Sequence, residues 1–301
     1  MKTVLVAAAL LAPALLATTP PALAADGPPV REYKAIADKP VAEIDPAKSY
    51  IIVQTETATP LTFIRRPEKD DIDDYLRRRK AALAKAHDKW VKKQANWLNE
   101  AAAWDKMSSS DRRGAPRPAQ PVEPTDANLA FSAIEQENMV SIGPFNRFAK
   151  EKGRSIFLQL VPPGHYAFYG PIIIAAAAGG TCMCMGSIQF EVKPGQIVNT
   201  GTMVGNWMAE RAKAKAEGRP VPPFTTEFPG KMTTTSWQPP VAGDRVDPRL
   251  AAFTIVPADL RASGRVPNYF GLQIDRLTPV PGVLDYDRDR IIDVKGQHPA
   301  G

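Results

Sequence analysis

The chain has 301 residues, 44% of them apolar, and a formal net charge of +6. That apolar share supports a sizeable core and excludes a wholly disordered chain, and the length suits one large domain or two small ones. Thirty prolines, about twice the usual share of about 5%, predict many turns, edges and extended linkers, because proline disfavours helix interiors and central strands.

The chain opens with Lys2, an apolar run over residues 4–16, and the small-x-small site Ala22-Leu23-Ala24. A basic start, a short apolar stretch and an A-x-A site mark a secretory signal peptide over residues 1–24. The run is shorter than the about 20 residues a membrane span needs, and no later run is longer, so no transmembrane span is expected in the mature chain. No cysteine stands near the cleavage site to accept a lipid. The expected product is exported, periplasmic or extracellular, and soluble or peripherally attached. An exported chain without nucleic-acid motifs is not expected to bind nucleic acid; its basic excess suits an anionic envelope.

Residues 25–48, rich in Pro, Ala and charge, read as a flexible leader. Residues 49–64 (SYIIVQTETATPLTFI) predict one or two strands broken near Pro60. The period then changes. Residues 68–107 contain neither Pro nor Gly, and Leu76, Leu83, Trp90, Trp97 and Trp104 recur every seventh residue, with Ile72, Tyr75, Val91 and Leu98 widening the stripe. This predicts a long amphipathic helix, with Asp70, Asp71, Asp73 and Asp74 in its first turns and Arg and Lys beyond, an order that complements the helix dipole. Three destinations suit the stripe of Trp90, Trp97 and Trp104: the protein's own domain, a partner protein or second copy, or a membrane surface. Residues 108–126 (SSSDRRGAPRPAQPVEPTD) read as an extended Pro-rich linker. Its Pro118-Pro121 and Pro121-Pro124 spacings also match the pattern of a groove ligand.

From Leu129 the strand period returns. Residues 155–161 lead through Pro162-Pro163-Gly164 into 165–170, and residues 186–192 lead through Lys193-Pro194-Gly195 into 196–201. Both units share the form V-x-P-G and predict hairpins closed by Pro-Gly turns. A short helix is expected over 203–217, a loop over 219–240, and further strands over 251–256 and 269–277. The fold class is therefore mainly β: an antiparallel β-sandwich domain over 49–301, carrying one long inserted amphipathic helix and a short second helix.

The pattern VPPGHYAFYGP followed by GTCMCMGSIQFEVKPGQIVNTGTMVG resembles domains of unknown function in bacterial envelope proteins and lipoproteins, which pair a "P-G-x-Y" hairpin with an "F-x-V-x-P-G" hairpin. The resemblance covers residues 155–205 and implies a β-sandwich. It supplies no functional residue, and the long helix lies outside it.

Cys182 and Cys184, the only cysteines, alternate with Met183 and Met185 between glycines. Four soft sulfur ligands suit Cu(I), but side chains alternate faces along a strand, so all four converge only in an irregular loop. The alternatives are a Cys182–Cys184 disulfide, structural or redox-active, and two buried thiols. Free thiols are unusual in an oxidising compartment, which favours the disulfide; apart from copper no cofactor is indicated. Asp285, Asp287 and Asp289 open like a calcium loop, but Arg290 and Gly296 stand where that loop needs Gly and Glu. His87, His165 and His298 are scattered, and no catalytic motif appears. The expected function is a non-enzymatic binding or structural module of the envelope, acting through the Trp-bearing basic helix or a loop rim on an envelope protein or a membrane surface.

Overall fold

The computed structural model describes residues 32–56, 60–151, 153–174, 178–205, 217–218, 235–241, 247–296 and 298–299. The expected signal peptide, residues 206–216 of the expected second helix and residues 219–234 of the expected loop lie outside the described residues.

The protein is mostly β, with one long helix and several sheets. A seven-stranded sheet runs β1 (Lys34–Ala35), β6 (Arg154–Val161), β2 (Ser49–Thr55), β11 (Ile197–Gly205) and β12 (Thr235–Gln238); β5 (Ala149–Glu151) pairs with β6, and β13 (Ile255–Pro257) with β11. A five-stranded antiparallel sheet runs β14 (Arg261–Ser263), β10 (Ser187–Val192), β7 (Gly164–Gly170), β3 (Leu61–Arg65) and β4 (Met139–Ile142). Two three-stranded sheets complete the set: β8 (Ile172–Ile174), β9 (Ala178–Cys182) and β15 (Gln273–Ile274); and β16 (Leu284–Asp287), β17 (Arg290–Asp293) and β18 (His298–Pro299).

The main core is filled from both large sheets. Ile51, Val53, Phe157 and Val198 come from one; Phe63, Phe168, Ile188 and Phe190 come from the other. Trp237 lies at its centre, 5.0 Å from the Phe168 ring and 6.2 Å from that of Phe63, and its indole donates to Thr200 O at 2.6 Å. The alternate residues of β2 and β6 (Tyr50, Ile52, Ile156, Leu158, Leu160) face a second cluster with Ile36, Phe148 and Leu250. Both faces of these strands are covered, which is why they read as almost unbroken apolar runs.

Four expectations need correction. The sheets are not all antiparallel: β11 runs parallel to β2 and to β13, so the larger sheet is mixed. The two V-x-P-G units are not hairpins. β6 and β7 lie in different sheets, as do β10 and β11, so each Pro-Gly segment carries the chain from one sheet across the core to the other. A turn signal specifies reversal, not whether the flanking strands pair in-plane or face each other. Gly195, at φ 72°, occupies the left-handed region that glycine favours. The leader is not loose throughout, since β1 pairs with β6 and Ile36 is buried, covering the second apolar face. Finally, Met203 belongs to β11 and not to a helix; the short helix described is α2 (Ile134–Glu137), while α1 (Lys69–Lys106) is the long one.

Of the expected C-terminal strands, residues 251–256 yield β13 after a 3-10 turn (Pro248–Leu250), and 269–277 yields only β15. The Asp-rich tail forms the β16–β17 hairpin, with Asp287 opposite Arg290 and Arg288 at φ 57° in its turn. Asp285 and Asp287 therefore stand on a strand, and the D-x-D-x-D run does not make a calcium loop.

Candidate functional site: the helix and proline-rich arm

α1 is inserted into a β-hairpin. β3 and β4 are hydrogen-bonded neighbours, with Leu61 opposite Ile142 and Ile64 opposite Met139, and the whole helix and its return segment lie between them in sequence. The helix starts where Asp71 accepts from the Glu68 amide at 2.9 Å, and ends where the Met107 amide bonds to Trp104 O.

Its first three turns are braced against the sheet region. Arg65 bonds Asp71 at 2.6 Å. Arg78, only 8% exposed, forms a two-pronged bond with Glu137 (2.5 and 3.1 Å) and a third bond with Asp74 at 2.8 Å. The Arg78 hydrogen bond holds the Asp74 carboxyl below the usual carboxylate range, and Glu137 in turn raises Arg78. Tyr75 packs on Phe131 and donates to Ser132 O at 3.0 Å.

Beyond that root the helix is paired with its own linker. The indole N–H of Trp90 donates to Pro121 O (3.1 Å), that of Trp97 to Pro118 O (2.9 Å) and that of Trp104 to Ala115 O (2.9 Å). As the helix climbs seven residues, the linker descends three. Seven helical residues rise about 10.5 Å, and three residues of polyproline II rise about 9.3 Å, so the two repeats stay nearly in step over three rungs. The linker's exposure confirms the period: Arg112, Ala115, Pro118, Pro121 and Pro124 are half-buried and the residues between them exposed. Flanking contacts close the seam. Arg79 binds Asp126 at 2.5 Å, His87 lies 3.6 Å from Glu123, Arg117 bonds Asp105 at 3.1 Å, and the Arg112 guanidinium sits 4.4 Å above the Trp104 ring.

The tryptophans expected as partner-binding residues are thus turned onto the chain's own Pro-rich segment. Residues 108–126 are more than a spacer: they occupy the tryptophan stripe, and the backbone carbonyls of Ala115, Pro118 and Pro121 satisfy the indoles. The sequence signal for this was the three-residue spacing of Ala115, Pro118, Pro121 and Pro124, read against the heptad of the helix.

The sulfur segment has a different role. The strand ends at Cys182 and the chain turns, so the Cα atoms of Cys182 and Cys184 come within 5.1 Å and the two form a disulfide. Both are buried beside Tyr169, Ile172 and Leu272, whereas Met183 faces the main core. The four sulfurs do not converge and the cysteines carry no thiolate, so the expected soft-metal site at Cys182, Met183, Cys184 and Met185 is not assembled. Backbone bonds from Met183 to Tyr169 O, from Val266 to Cys184 O and from Asp275 to Cys182 O instead stitch residues 264–275 to the sheets.

A cleft of about 180 Å³ opens beside that segment, lined by Ile64, Ala167, Tyr169, Ser263 and Tyr269 with Arg66 and Glu135 among the polar residues. Burial and the neighbouring Glu135 push the Tyr269 phenol up to about 12. His165 is exposed on β7 opposite Glu191, and His87 lies on the arm. Among the described residues no three His, Cys, Asp or Glu side chains group to hold a metal ion, and no helix is long and apolar enough to cross a membrane.

No family model, curated protein or solved structure matches the chain.

Proposed function

We propose that the protein is an exported, non-enzymatic binding module of the cell envelope, in which a β-sandwich platform presents the arm as its contact surface. The carrying observation is the economy of the insertion. Residues 66–138 enter and leave between two strands that are already register partners, and of α1 only Arg78 and Ala101 are buried. So long a segment contributes little to the sheet cores, yet its root is braced by buried ion pairs and its length is stiffened by the linker. The signal-like start at residues 1–24 supports export.

The test follows from the insertion geometry. Residues 69–132 are replaced by a short Gly/Ser turn, and the intact and arm-less chains are sedimented with isolated cell envelopes. The expected result is a cooperative melt of the sheets in both proteins, with envelope association only in the intact one. Equal association of the two would overturn the proposal.

A further inference from the structure

The cleft beside the sulfur segment is built on the outer face of the five-stranded sheet. Side chains alternate along each strand. Phe63, Phe168, Ile188 and Ala262 face the main core, so Ile64, Ala167, Tyr169 and Ser263 face the other way and floor the cleft. Its walls come from distant parts of the chain. Arg66 follows β3 and Glu135 stands on α2, whereas Val266 and Tyr269 belong to the segment after β14. Hydrogen bonds tie these parts together. Gln136 Nε2 donates to Tyr269 O at 3.0 Å, the Tyr269 amide to the Tyr169 hydroxyl at 2.9 Å, and the Val266 amide to Cys184 O at 3.1 Å. The space of about 180 Å³ is therefore framed in advance.

Three polar groups on this surface have unused bonding capacity. Ser263 is 1% exposed, and its hydroxyl has no hydrogen-bond partner among the described residues. Arg66 and Glu135 carry opposite charges on one small cleft. Glu135 has the Tyr269 phenol beside it, but neither charge forms an ion pair with the other or with any described residue. The root next to them is densely paired, Arg65 with Asp71 and Arg78 with Asp74 and Glu137. Arg66 and Glu135 are the exceptions in a region that otherwise matches its charges.

We infer that the cleft binds a small zwitterion with an apolar side group, of the α-amino-acid class. Its carboxylate meets Arg66, its ammonium meets Glu135, and its side group lies on Ile64, Ala167 and Tyr169, with the Ser263 hydroxyl left to bond a polar atom of the ligand. Each feature removes an alternative. Glu135 repels a simple anion, and Arg66 repels a metal ion or simple cation. A wholly apolar ligand would strip water from both charges and pair neither, which is costly. Size sets the side group. A dry cavity of about 150 Å³ holds one benzene, so about 180 Å³ takes a branched aliphatic group or a single ring, with the charged groups at the rim. The site lies at the base of the arm and not along it, so the inference goes beyond envelope contact and is tested apart from it.

The experiment is isothermal calorimetry of the purified full chain with both enantiomers of leucine and of phenylalanine. The expected result is binding of at least one of the four. Glycine, which lacks the side group, should bind roughly tenfold or more weakly. So should the N-acetyl and amide derivatives of the bound amino acid, each of which lacks one charge. Arg66→Gln should abolish the preference for the free carboxylate over the amide, and Glu135→Gln the preference for the free amine over the N-acetyl form. Arg66 is exposed and Glu135 half-exposed, so circular dichroism and the melt should match wild type in both variants. Hydrogen exchange places the ligand: with it bound, exchange should slow over residues 134–137 and 263–269. Absence of binding by all four probes at about 1 mM overturns the inference. So do full affinity in both charge variants, derivatives that bind as tightly as the parent, and protection confined to other regions.

Discussion

The arm and the sheets bury aromatic rings by opposite means. In the sheets, Trp237, Phe63 and Phe168 are almost wholly enclosed, and each leans on strands from both sheets. In the arm, Trp90, Trp97 and Trp104 stay half-exposed and each meets one carbonyl of one neighbouring segment. The first arrangement is three-dimensional: every ring is contacted by several others, so a loss anywhere is felt throughout. The second is one-dimensional: each rung contacts mainly the rungs beside it. A linear zipper can lose one rung without losing the rest, much as stacked repeats do. The comparison predicts a protein that melts in two parts, with its sheets as one cooperative unit and its arm as a graded one.

The largest expected effect is in the core. Trp237→Ala removes a buried indole and orphans its hydrogen bond to Thr200, and should cost about 3–5 kcal/mol. Chemical denaturation followed by both near- and far-ultraviolet dichroism should show the sheets failing at lower denaturant. A loss confined to helical signal would break the comparison. Next comes the root. Arg78→Ala strands Glu137 at a mostly enclosed site, leaves Asp74 with Arg77 alone, and should cost about 1.5–3 kcal/mol locally. Hydrogen exchange should rise over the first turns of α1 and over α2 while β2 and β6 keep their protection. Smaller still is Trp97→Phe, which keeps the ring and deletes one bond. About 0.5–1.5 kcal/mol is expected, seen as faster exchange around residues 94–101 with the denaturant midpoint of the sheets unchanged.

The mildest perturbation is pH, and it addresses the two regions unequally. The Asp74 carboxyl is depressed below 3.8 chiefly by its bond from Arg78, and Asp247 likewise by Arg249. A depressed carboxylate stabilises the fold above its unfolded value and loses that contribution as pH falls through the folded one, so acid below about pH 4 should loosen the arm root and the sheet periphery together. Burial pushes the Tyr286 phenol up to about 12. A raised phenol contributes fully below its unfolded value near 10 and loses that contribution as pH rises towards the folded one. Alkali should therefore act on the sheets and leave the tryptophan rungs paired. Tyrosinate absorbance recorded alongside arm exchange between pH 9 and 12 separates the two; simultaneous loss would mean that the regions are not independent.

How much of this was legible follows from the range of each signal. The helix was read to within a residue at each end, because a heptad of large apolar residues without Pro or Gly is a local pattern. What covered the stripe was missed. A linker judged by composition looks like a spacer, and only its three-residue period, set against the seven-residue period of the helix, identifies it as the matching strip. The strands β2, β3, β6, β7 and β10 and the start of β11 were placed, but β8, β9 and the end of β11 were not, and nor were the partners of any. V-x-P-G specifies a reversal, and whether β6 continues into a paired strand or crosses to the facing sheet depends on residues more than a hundred positions away, such as Tyr50 opposite Leu160. The sulfur segment failed on a similar point. An extended Cys-x-Cys keeps its Cα atoms too far apart for an easy bridge, and the turn that closes them to 5.1 Å is held by carbonyls of Tyr169 and amides of residues 266 and 275, none of which is visible from the cysteines.

The seven-to-three ratio also makes the arm a ruler. One more heptad on the helix, matched by three more residues on the return strand, adds a complete rung and moves the tip about 10.5 Å further from the root. Neither the junction at Ile64 and Met139 nor any sheet contact has to change, because the added length returns to the same place. Reach becomes a quantity that can be altered in steps, by insertion or deletion, without asking the platform to fold differently.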